Sequence, residues 1–421
     1  MKKILQGCLC FVLAAAVMLG LLVCAALVPR EAIRKQVTES AEYLCRTDEY
    51  AMAAEGVESS RIDHYADAVL LNIAWYMKAE DPLRSALKAE YYDAEGLQKP
   101  ELLREALEHG LLPNELYLRY WHGSLALVRP MLTFLTLPQI YLWHSILLGL
   151  LAAGLLFRLF RRKDFIAAAG ILCGMIGTAC WYVPRSLEFT WVFLILLLQL
   201  HWVISRSFPK DWFRRGLFFL LSGMVTNYLD FLSCETLTLL MPLLMLLWTE
   251  RDAGKPDWKT LGKTALLWGI GYGGMYLVKW AAASLALGES ALPYVTGSIS
   301  RRLVGQVGEL DFFSELFWAL FRNVYYLFPM DYGFAGTAIG IAAMVAAGYI
   351  GYVHRRKKYD KALLGRFAVL GAVPFLRYLV LMNHSYMHAF FTYRAQFTTI
   401  FAVVLMLAEL TGWGLKKHGK A

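Results

Sequence analysis

Charge is scarce in this sequence. Only 18% of its 421 residues are Asp, Glu, Lys or Arg, 58% are hydrophobic, and mean hydropathy is +0.45. A soluble domain could not hide that much apolar surface from water, so the bilayer is the solvent for much of this chain. Several catalytic signatures are missing as well. There is no phosphate-binding P-loop, no G-x-S-x-G elbow and no H-E-x-x-H zinc helix. The seven cysteines form no C-x-x-C pair, so zinc and thiol-redox roles have no support. Five of them lie in apolar runs, where a thiol behaves as a small hydrophobe. Cys45 and Cys234 fall in stretches expected outside the membrane and form a weak candidate pair. No repeat of fixed period occurs, which argues against a transporter built from two similar halves.

Long uncharged runs are abundant. Ile4–Val28, Phe165–Pro184 and Gly333–Val353 carry no charge, and each is near or above the ~20 residues that cross the hydrocarbon layer. The formal charge of +9 is gathered in short clusters beside such runs, including Arg158–Lys163, Arg206–Arg215, Arg251–Lys263 and Arg355–Lys361. Basic residues in short loops stay on the cytoplasmic side. The excess charge therefore reports topology, and a nucleic-acid partner is not indicated.

The expected fold class is all-α, a polytopic membrane helix bundle of about ten spans with a long helical first extracytoplasmic loop. Residues 1–28 form the first span, uncleaved because its apolar run exceeds that of a signal peptide. Residues 29–137 form amphipathic and interfacial helices outside, over Glu31–Leu44, Asp63–Met77, Pro82–Tyr92, Lys99–His109 and Leu125–Leu137. Residues 138–421 form the rest of the bundle, with an outer segment at 287–331 that carries an aromatic amphipathic part, Phe312–Phe328. Both termini are then cytoplasmic, in a multi-pass protein of a bacterial plasma membrane. Two short apolar stretches, Gly216–Val225 and Thr236–Trp248, barely reach across, so the polar turn between them sits below the membrane surface in a protein-lined cavity. Lys279, near the outer end of its span, is expected to snorkel.

On that topology the uncommon polar groups fall on the outer side. Asp63 and Asp67 are four apart at a helix start, suited to a general base or to holding a divalent cation, or simply to capping the helix. Arg119, His122 and Arg129 could grip a lipid-borne phosphate, while the neighbouring aromatics are ordinary belt residues. Asp230 and Glu235 are costly at membrane depth unless they face a wet cavity or pair with Arg185 or Arg377. Arg301, Arg302, Asp311 and Glu315 are equally well explained as a solvated face. His384, His388 and Arg394 form a hydrogen-bonding set for a sugar or phosphate, and two histidines without a third ligand are a weak metal signal.

One span, a long outer loop of amphipathic helices with acidic residues, and many further spans with short basic inner loops together resemble the GT-C class of membrane glycosyltransferases. The resemblance is one of topology. It implies transfer of a sugar from a polyprenyl-phosphate donor to an acceptor on the outer face, with an acidic catalytic residue in the first outer loop. The matching position is Asp63, with Asp67 next, although Asp63 comes later after the first span than the family's acidic motif often does. The implied partners are a lipid-linked sugar donor and membrane lipid, and no cofactor is implied beyond an optional divalent cation. The competing class is a lipid or polysaccharide transporter or flippase, which would use the same charged cavity without chemistry.

Overall fold

The computed structural model describes residues 2–253, 256–297, 311–327 and 334–413. The chain is mostly helical, and four helical stretches are long and apolar enough to cross a membrane: Lys2–Ala26, Leu137–Arg161, Lys361–Val380 and Ala389–Thr411. Shorter apolar helices, among them Phe165–Gly177, Thr190–Val203 and Leu237–Thr249, pack between them. The first helix, α1 (Lys2–Ala26), is exposed along Ile4, Leu5, Leu9, Val12, Leu13 and Val17. An apolar face of that size is tolerable only against lipid.

Between Arg30 and Thr136 the chain folds back on itself. Here α2 (Arg30–Leu44), α3 (His64–Tyr76), α4 (Pro82–Lys88), α5 (Lys99–His109) and α6 (Leu125–Met131) follow in order. Their starts are set locally. The Asp63 carboxylate accepts the Ala66 N–H at 2.9 Å and caps α3, and Gln98 with Glu101 forms a capping box at α5. Glu90–Tyr91 and Glu115–Leu116 pair antiparallel, a ladder the helical pattern over Pro82–Tyr92 had concealed. The helix expected over Leu125–Leu137 ends at Met131, just past Pro130.

The remaining helices are α7 (Leu137–Arg161), α8 (Phe165–Gly177), α9 (Thr190–Val203), α10 (Trp212–Leu229), α11 (Leu237–Thr249), α12 (Trp258–Leu287), α13 (Phe312–Tyr325), α14 (Phe334–Val353), α15 (Lys361–Val380), α16 (Met382–Met387), α17 (Ala389–Thr392) and α18 (Phe397–Thr411). The polar turn of the short central pair is narrower than its sequence suggests, because α10 runs on through Leu229 and only 230–236 leave the helix. Lys279 does not snorkel. It is fully buried, and its Nζ donates to the Leu87 carbonyl at 2.7 Å, pinning α4 to α12. All seven cysteines are free, so Cys45 and Cys234 are not paired.

Helices α10 and α12 approach each other closely. A Cβ on Gly223 would collide with the Trp268 carbonyl, and one on Gly271 with the Leu220 carbonyl. Backbone lies against backbone at this crossing, the arrangement small residues permit between membrane helices. Gly271→Ala is expected to lower the thermal unfolding temperature through an overpacking cost of about 1–3 kcal/mol. Gly269→Ala on the same helix, where a Cβ meets nothing, should leave it unchanged.

Candidate functional site

Two groups of buried polar side chains stand out, one at the turn after α8 and one around the turn between α10 and α11. The first is built on Asp63. Its side chain is 3% exposed and hydrogen-bonds the carboxyl of Glu188, itself 6% exposed, which stands just before α9. A hydrogen bond between two carboxyls requires a shared proton. Burial pushes the Asp63 carboxyl up to about 7, opposed by the Ala66 N–H and by Glu188, with the charge of Glu49 adding to the rise. Tyr50 stands close enough to feel both Asp63 and Glu188. It also lines a polar pocket of about 480 Å³ with Asp48, Glu49, Glu55, Arg61 and Gln98. The residues flanking Asp63 are tied to that rim, the His64 N–H donating to the Glu49 carbonyl and the Ile62 N–H to the Ala51 carbonyl.

Asp67, one turn on, is fully buried and has a different task. Its carboxylate accepts from the Tyr141 hydroxyl, from the Leu187 N–H at 2.9 Å and from Ser186 Oγ at 3.4 Å. Burial drives its carboxyl well up, and these donors pull the other way. The effect is to clamp residues 186–188 against α3, which holds Glu188 opposite Asp63. Neighbouring His64 is pushed down to about 4 by burial, so it is neutral near pH 7 and offers no positive charge to the pair.

Arg394 belongs to the same neighbourhood. Its guanidinium lies 5.4 Å from the Phe189 ring centre and 4.9 Å from that of Tyr393, and it donates to the carbonyls of Ser59 and Phe390. Asp63 and Arg394 thus meet neighbouring residues of the 186–189 turn, Glu188 and Phe189. His384 packs at a tilt against His388, 4.8 Å between ring centres, and edge-on against Phe391; His388 stacks on Phe391, which packs on Phe189 at 4.9 Å. No group of three metal-ligating side chains occurs among the described residues.

The second group surrounds the 230–236 turn. Asp230 accepts the N–H groups of Leu232 and Ser233 and the Ser233 hydroxyl. Glu235 forms a two-pronged pair with Arg377 at 2.8 and 3.0 Å, and Arg377 also holds the Leu232 carbonyl. His122 packs on Phe231, 5.4 Å between ring centres. Burial pushes its imidazole well down, and the charges of Lys279 and Arg119 add to that. The Arg119 guanidinium is held between the rings of Tyr117 and Tyr120.

Arg129 stands apart. It is fully buried and donates to the carbonyls of Ala25, Ala26 and Met77, the C-terminal ends of α1 and α3. It satisfies acceptors that a helix end leaves orphaned. Asp311 caps α13 and Glu315 is buried beneath it, while Arg301 and Arg302 lie outside the described residues. Glu188 is not among the candidates that the sequence suggests. Its signal was a lone carboxylate opening the apolar run Phe189–Leu198, beside Arg185. Searches against protein-family models, characterised proteins and solved structures return no match to this chain.

Proposed function

We propose that this protein is a membrane glycosyltransferase of the GT-C type, moving a sugar from a polyprenyl-phosphate donor to an acceptor on the extracytoplasmic face. The observation that carries the reading is the buried Asp63–Glu188 carboxyl pair beside a polar pocket. A carboxylate whose proton affinity is raised toward neutrality is matched to general-base work near pH 7. The acceptor O–H gives its proton to Asp63 as its oxygen bonds the anomeric carbon. The bond from that carbon to the phosphate oxygen breaks, and the lipid phosphate leaves with the electron pair. Arg185, exposed on the same turn, and Arg394, which lies over the Phe189 ring, are the cations that would offset the leaving charge. The topology that puts this end of the bundle outside is part of the proposal, as is the ten-span count.

The reading makes a pH prediction. Asp63 is active when ionised, so transfer should rise as pH increases through about 7 and level off above it. The test incubates purified protein in detergent with polyprenyl-phosphate hexoses and pentoses and measures release of polyprenyl phosphate between pH 5.5 and 8.5. A flippase without chemistry leaves every donor intact at every pH, and that result would replace the transferase reading.

A further inference from the structure

The lipid-facing side of α1 is not evenly filled. A groove of about 630 Å³ lies between α1, α10 and α12, inside the ~300–1,000 Å³ range of small-molecule sites. Ile4, Val12 and Ile270 line it and are exposed, which is tolerable only where lipid is the solvent. Missing side chains open it. Gly7 lies in its wall, and a Cβ on Gly7 would meet nothing within 4 Å. At Gly274 a Cβ would instead run into the Phe11 ring at 2.8 Å, so α1 and α12 close up there. The groove follows α1 from Lys3 to Val12, which at about 1.5 Å per residue is roughly 14 Å. That is about half of the ~30 Å hydrocarbon layer, the depth of one leaflet.

The two ends of the groove differ in chemistry. Lys3 is the one charged residue in its described lining, and its Nζ stands 5.8 Å from the centre of the Phe213 ring, which lines the groove too. Trp212, also in the lining, has the Lys263 Nζ 5.5 Å from its ring centre. Both lysines are exposed. Asp211, the acid beside Trp212 in sequence, is already engaged. It accepts the Arg214 N–H at 3.0 Å and stands 3.6 Å from the Arg214 guanidinium. One end is therefore basic with aromatics of the kind that sit at a headgroup boundary, and the other is apolar.

We infer that this groove holds one acyl chain of an anionic glycerophospholipid, with its phosphate at the Lys3 end. An acyl chain suits the apolar walls. A groove one leaflet deep sets the headgroup at the lysines when the chain points to the membrane centre. Net negative charge is favoured because basic residues at a membrane surface attract anionic headgroups, whereas a zwitterionic headgroup brings its own cation to the lysines. The lipid fills the gap that Gly7 leaves and ties α1 to α10 and α12. This site is independent of the transferase reading and needs only that α1 meets lipid.

The test places the full chain in nanodiscs of equal parts phosphatidylglycerol and phosphatidylcholine and counts the lipids that stay on the released protein by native mass spectrometry. Wild type is expected to keep one phosphatidylglycerol at least fivefold more often than one phosphatidylcholine. Lys3→Gln combined with Lys263→Gln should cut that preference at least threefold. Lys357→Gln combined with Lys358→Gln, on the exposed basic loop before α15, should leave it unchanged. Gly7→Leu fills the groove and should lower retention of both lipids, while Gly269→Leu, outside the groove, should not. Equal retention of the two lipids by wild type overturns the inference, as does a preference that survives the double lysine replacement. Retention untouched by a folded Gly7→Leu also overturns it, and if that variant does not fold, the lysine pair decides. A wild-type dimer abolished by Gly7→Leu would put a second copy of the chain in the groove instead. Displacement of phosphatidylglycerol by a tenth as much polyprenyl phosphate would assign the groove to that lipid and overturn the inference.

Discussion

Replacing Asp63 with asparagine is expected to lower sugar transfer by roughly 10²- to 10⁴-fold, the range a positioned general base contributes, while expression, insertion and unfolding temperature near pH 5 stay as in wild type. The substitution separates chemistry from structure because asparagine caps a helix as well as aspartate does. Its side-chain oxygen can still accept the Ala66 N–H, and its amide can donate to Glu188. Only the proton-accepting carboxylate is lost. The same variant carries a second readout. The Asp63 carboxyl is raised in the folded state, so its contribution to stability is fully present below its ordinary unfolded value and is lost as pH rises through about 7. Thermal unfolding followed from pH 4 to pH 8 should therefore fall less steeply for Asp63→Asn than for wild type. Full transfer activity in the variant would remove Asp63 as the base, and Glu188 would then be the carboxylate to replace.

Removing Glu235 should have the largest effect on stability. Glu235 and Arg377 are each 6% exposed and joined by two hydrogen bonds. A buried pair contributes little net stability as a pair, but breaking it strands a charge at a cost of about 3–5 kcal/mol. Glu235→Ala should therefore unfold at a markedly lower temperature in nanodiscs. It should also loosen the 230–236 turn, because Arg377 anchors that turn through the Leu232 carbonyl. The double replacement Glu235→Leu with Arg377→Met removes both charges and should recover most of the loss. Glu235→Ala with an unchanged unfolding temperature would mean that water reaches Arg377 and that the turn is not sealed.

Much of the helical layout is local in origin and was legible residue by residue. Asp63 ahead of a helical run, Pro100 inside the first turn of α5 and Gly110 at its end, and the uncharged runs of α1 and α7 each announce themselves within a dozen residues. Candidate polar residues were legible for a related reason. A charge in an apolar stretch is costly, so its presence marks a role of some kind. The kind of role was not legible. Arg129 and Arg394 look alike in sequence, each a guanidinium beside aromatic and apolar neighbours. Arg129 is held by the carbonyls at the ends of α1 and α3, whereas Arg394, held by the carbonyls of Ser59 and Phe390, lies against the turn that carries Glu188.

Composition and charge placement by themselves determined that this is a helical chain rich in membrane-length apolar segments, because the cost of apolar surface in water and of bare backbone in lipid acts on each segment separately. Tertiary structure alone decided that Asp63 lies against Glu188 rather than Asp67, that Asp67 holds the turn, and that Lys279 is a buried tie. The reason is that the proton affinity of a carboxylate or amine is set by what surrounds it. For Asp63 burial sets that affinity first, and the carboxyl it hydrogen-bonds, Glu188, lies across the fold on a segment that no local pattern connects to it.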